Sequence, residues 1–102
     1  MKTYIAERHL FFTEKQSTHK RNLVIRVSTP QAVDQSTVKF PVDEAMAVCY
    51  VQLDGLDENS FEVFGTDSLQ AVNLASNVEP ILKRLSSKYD FFWITGEPYF
   101  ES

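Results

Sequence analysis

The sequence predicts an α+β fold, an antiparallel sheet of about five strands with one long helix packed on one face. Three observations predict it. Residues 4–12, 22–28, 46–53, 61–64 and 91–95 are short runs rich in β-branched and aromatic residues. The first two runs are joined by a polar link and the third and fourth by a turn, which favours antiparallel pairing of neighbours. One stretch alone, from Gly65 to about Ser87, carries apolar residues at helical spacing.

Each element follows in order. Residues 4–12 form the first strand, and the polar segment 13–20 reads as a hairpin loop. In 22–28, Leu23, Ile25 and Val27 fall on one face while Val24 and Arg26 fall on the other. Pro30 ends that strand, because proline cannot donate to a ladder. Residues 30–43 lack periodicity and read as a long loop. In 46–53, Ala47, Cys49, Val51 and Leu53 share one face and Met46, Val48 and Tyr50 the other, the pattern of a central strand covered on both sides, or on one side plus a partner. Asp54-Gly55 signals a tight turn, and 61–64 return as the fourth strand.

Asp67 at the N-cap and Gln70 three residues later predict a capping box, with Thr66, one residue earlier, as the alternative cap. Ala71, Leu74, Ala75, Val78, Ile81, Leu82 and Leu85 then give an apolar stripe. Pro80 interrupts it but the stripe continues in phase, so the expectation is one kinked helix ending near Ser87. Residues 91–95 are the last strand, Gly96-Glu97-Pro98 a turn, and Tyr99-Phe100 a short aromatic tail. The order is β-β-β-β-α-β, and 102 residues suit a single domain spanning 1–102.

Charge narrows the function classes. The formal net charge is −4, which argues against nucleic acid as the main ligand. Residues 1–51 carry seven Lys/Arg against five Asp/Glu, and residues 52–102 carry three against nine, so the acidity belongs to the second half. A single cysteine allows no intrachain disulfide, the first residues lack the apolar core of a signal peptide, and no apolar run is long enough to span a bilayer. These features read as cytoplasmic, with no membrane partner.

No local pattern supplies catalysis. Cys49 sits mid-strand with no visible base, and reads as a core thiol. His9 and His19 have no metal-ligand spacing, and three glycines leave no phosphate-cradling loop, so no metal and no cofactor is expected. Lys15, His19, Lys20 and Arg21 form a small basic cluster that reads as a solvated loop. Asp67 reads as a cap. The expectation is a protein that binds and does not catalyse. An enzyme would have to join distant residues such as His9, Asp67 and Glu97.

The candidate partner-binding residues are the acidic turn Asp54, Asp57, Glu58 and Glu62, with Trp93 and Tyr99 as exposed aromatic anchors. Residues 64–75, Phe-Gly-Thr-Asp-Ser-Leu-Gln-Ala-Val-Asn-Leu-Ala, resemble a group of small uncharacterised bacterial proteins sharing G-x-D-x-x-Q-A-x-x-L-A after a strand. Residues 5–10 look like that group's opening strand, and Phe92-Trp93 falls after its helix. In type, as a small acidic α+β domain, the chain is also similar to immunity proteins of bacterial toxin systems, including contact-dependent growth inhibition. That resemblance implies stoichiometric neutralisation of a cognate toxin, a basic nuclease domain being the suspected partner. The alternative is a homodimeric module using residues 46–53 and the aromatic tail.

Overall fold

The computed structural model describes residues 3–100. It is α+β, with an antiparallel six-stranded sheet and helical segments on one face. The strands are β1 (Tyr4–Glu14), β2 (Arg21–Ser28), β3 (Gln31–Ala32), β4 (Ala47–Asp54), β5 (Phe61–Gly65) and β6 (Tyr89–Trp93). Helix α1 (Ser68–Ser76) and helix α2 (Glu79–Leu85) lie between β5 and β6. β6 pairs with β1, β1 with β2, β2 with β4, and β4 with β5 on its far edge.

Alternation decides the faces. Leu10 and Phe12, then Leu23, Ile25 and Val27, then Ala47, Cys49, Val51 and Leu53, then Tyr89 and Phe91 point to the helices and form one buried cluster. Phe11, Val24, Arg26, Tyr50, Gln52 and Phe92 occupy the opposite face and are only half-buried. That face is covered at one end, where Phe40 meets Phe64 edge-on at 5.2 Å beside the buried Val48. The expectation of cover on both faces of residues 46–53 therefore holds at that end alone.

Three expectations need correction. The sixth strand, β3, lies within the segment expected to be a loop. Pro30 does end β2, but Gln31 and Ala32 then pair with Val48 and Ala47 on the same edge of β4. At the interruption Ser28 Oγ accepts the Tyr50 N–H at 2.7 Å. The rest of the segment is organised by a short 3-10 turn, Gln35–Thr37, capped by Asp34, whose carboxylate accepts the Ser36 N–H and is thereby held below its ordinary pKa. The Gln35 side chain bonds the backbone of both Phe40 and Val42.

Second, the expected single helix is two segments. Pro80 falls in the first turn of α2, where its missing N–H would have had no intrahelical acceptor, so the chain breaks at Asn77–Val78 and no internal bond is lost. Ala71, Ala75, Val78, Leu82 and Leu85 stay on one buried face across the break, because steps of three and four residues persist. Leu74 leaves that face and is 49% exposed. Third, the last strand begins at Tyr89, not Phe91, and ends at Trp93.

The start of α1 matches its expectation closely. Asp67 Oδ1 accepts the Gln70 N–H at 2.8 Å. Gln70 Oε1 reaches back to the N–H and hydroxyl of Thr66, one residue before the cap, at 2.7 and 3.0 Å. Loss of an N-cap side chain costs about 1 kcal/mol. Asp67→Ala is expected to lower stability by that amount in urea unfolding, and Asp67→Asn to restore most of it.

Candidate functional site

The four carboxylates of the acidic turn do not form one group. Asp54 ends β4 on the open sheet face, where its carboxylate accepts from Arg26 Nη1 at 2.8 Å. Arg26 Nε also binds Glu7 at 3.1 Å, and Glu7 binds His9 Nε2 at 3.1 Å. The result is a charged ladder across three strands. The His9 hydrogen bond, helped by Arg26, holds the Glu7 carboxyl below its usual range, and the Asp54 carboxylate raises the Arg26 guanidinium.

Glu58 turns the other way. It sits between Lys88 Nζ at 3.3 Å and the Tyr89 hydroxyl at 3.4 Å. Burial, followed by the Glu58 charge, raises the Tyr89 phenol. Asp57 and Glu62 are exposed, and neither has an ion-pair or hydrogen-bond partner among the described residues. Glu62 faces Tyr50 in the β5–β4 pair, four residues along β4 from Asp54. That separation is roughly 13 Å at strand rise.

The two aromatic candidates differ. Trp93 is 37% exposed, whereas Tyr99 is 8% exposed. Residues after β6 fold back along its free edge. Trp93 N–H donates to the Glu97 carbonyl and Tyr99 N–H to the Phe91 carbonyl, each at 2.9 Å. Tyr99 thus enters the helix side of the sheet and stacks on Trp93, ring centres 4.6 Å apart. Its hydroxyl donates to Glu79 Oε1 on α2 and accepts from Arg8 Nη1 at 2.6 Å. The Arg8 guanidinium also lies 5.5 Å from the Trp93 ring centre. Tyr99 is therefore a tie between β1, α2 and the fold-back, and Trp93 keeps the exposed edge.

Burial and the hydrogen bond to Glu79 push the Tyr99 phenol up to about 12. A raised phenol keeps its proton in the folded chain after the unfolded chain has lost it. Its contribution is complete below about pH 10, the ordinary value of a tyrosine phenol, and is lost as pH rises toward 12. Ultraviolet titration is expected to show a last phenolate near pH 12 that Tyr99→Phe removes.

Sequence reasoning missed Arg8 and Glu79. They lie 71 residues apart, and Arg8 lies 91 residues from Tyr99, so no local pattern marks them. The basic cluster is partly tied down. Lys15 pairs with Asp90, Arg21 with Glu14, and Lys20 lies 4.6 Å over the Phe92 ring. Cys49 is fully buried and burial raises its thiol pKa. His9, Asp67 and Glu97 are engaged separately, with Glu7, the α1 start and the Thr95 hydroxyl. β4 has strand neighbours on both edges, so its backbone is used inside the sheet.

A groove of 590 Å³ opens where the chain breaks between α1 and α2, lined by Phe61, Leu74, Val78, Ile81, Arg84 and neighbouring residues. Among the described residues no group of three His, Cys, Asp or Glu side chains could hold a metal ion, and no helix is long and apolar enough to cross a membrane. No protein-family model, curated protein or solved structure matches the chain.

Proposed function

We propose that this protein is a stoichiometric inhibitor of the immunity type, which neutralises a basic bacterial toxin domain by covering its cationic surface. One observation supports the reading. The segment 54–67 holds five carboxylates and no Lys or Arg, and two of them, Asp57 and Glu62, face solvent without a cation partner among the described residues. Nuclease toxins must bind phosphate, so they carry positive sites that such a segment complements. The cytoplasm, where a nuclease meets its substrate, is the compartment this role requires.

The test is co-expression with the toxin-class protein encoded beside the gene. The expected result is restored growth and a 1:1 complex whose affinity falls when Asp57 and Glu62 are both changed to Lys. Absence of a toxin-class reading frame at that locus, or no rescue and no complex, overturns the proposal.

A further inference from the structure

The two edges of the sheet end differently. The β6 edge is occupied by the fold-back, with Pro98 facing Phe92 and the Tyr99 N–H spent on Phe91. Among the described residues the β5 edge is bare, since β5 pairs there with β4 alone.

The direction of its spare groups follows from β4. Tyr50 turns its N–H toward Ser28, on the β2 side. In an antiparallel pair, a residue whose backbone turns away faces a partner whose backbone also turns away. Glu62, opposite Tyr50, therefore directs its N–H and C=O outward, and Phe64 shares that phase. Proteins blunt such edges with proline, lysine or a bulge. Phe61–Gly65 contains no proline or lysine, its register with β4 is unbroken, and its only charge is Glu62.

A strand added here has its side chains chosen for it. On the open face it meets Glu62. On the helix face it lies beside Phe61, at the mouth of the groove formed with Leu74, Val78 and Ile81. A second copy of the chain fits poorly, because residues 57–67 carry four carboxylates and no cation, and like charges on paired strands repel.

We propose that the free edge of β5 takes up an extended segment of a partner protein as an added antiparallel strand, basic on the Glu62 face and apolar on the Phe61 face. Backbone bonds give such docking its affinity and alternate side chains its specificity. The inference rests on the reading above as a binding protein and supplies the docking mode, and its test does not involve a toxin.

The probe is a synthetic heptapeptide alternating valine and lysine, titrated into isotope-labelled protein. The Glu62 and Phe64 amide signals are expected to shift and to gain protection from hydrogen exchange. The same peptide with glutamate for lysine should be silent, as should one N-methylated along its pairing edge. Glu62→Lys should weaken binding roughly tenfold and Glu62→Gln less, since charge reversal replaces attraction by repulsion. Both changes are at an exposed side chain, so a native spectrum is expected for each. Equal response to the glutamate peptide, shifts confined to other residues, or indifference to Glu62→Lys overturns the proposal. So does a peptide-free dimer by sedimentation whose Glu62 and Phe64 amides are already protected, which makes the occupant a second copy. Peptide binding without toxin rescue removes the toxin reading and keeps the edge; rescue without peptide binding does the reverse.

Discussion

Gly65→Ala is expected to lower stability by about 3 kcal/mol or more, at the upper end of overpacking effects. A Cβ at position 65 would lie 2.3 Å from the Ala71 nitrogen, 2.8 Å from the Ala71 Cα and 2.9 Å from the Asp67 carbonyl oxygen. All three are backbone atoms of the α1 start, so no side chain can move aside. The whole first turn must lift off β5, disturbing the Asp67 cap and the burial of Ala71 together. This glycine is required by close approach and not by an unusual backbone angle. Thermal unfolding checks it, with a drop in Tm of roughly 12 °C or more. A drop under roughly 4 °C, equivalent to about 1 kcal/mol or less, would show that the helix start yields easily.

Phe12→Ala is the second large effect, at roughly 3–5 kcal/mol. Phe12 is fully buried, and its ring meets Tyr89 edge-on at 5.5 Å. It faces Phe91 across the β1–β6 pair, and the Arg21 guanidinium lies 4.8 Å from its ring centre. Truncation leaves a void where three strands meet, and collapse is restrained because each neighbour is held in a ladder. A loss of this size is a large part of the ~5–15 kcal/mol that stabilises most domains. Urea unfolding is expected to show a much lower midpoint with an unchanged slope, and Phe12→Leu an intermediate one.

The residues that announced their roles did so through local geometry. The alternation of Ala47, Cys49, Val51 and Leu53 is visible in eight residues, and so is the cap formed by Asp67 and Gln70. Pro80 was legible as an interruption, but its place in the first turn of α2 depends on where the previous helix stops, and that stop at Asn77 has no glycine to mark it. β3 was hidden because two residues cannot display a period. The candidate site was less legible still. Asp54 and Glu58 look alike in the sequence as members of one acidic turn, yet the turn points one at Arg26 and the other at Lys88. Whether a carboxylate remains available for a partner is set by cations on distant strands. Tyr99 looked like an exposed anchor because its fold-back onto β6 is a long-range event.

The pairing of β6 with β1 also bears on how the chain folds. Leu10 meets Trp93, so strands from opposite ends of the chain share the central core. β1 and β2 are joined by a short hairpin and can form early. Their other edge stays open until residues 89–99 arrive, bringing Phe91 into the cluster and Tyr99 to Glu79. Closing so large a loop is slow, since its entropy is spent before the contacts return it. Among the described residues, the sheet without 89–99 has two bare edges, β1 and β5, and docking of that segment seals only the first.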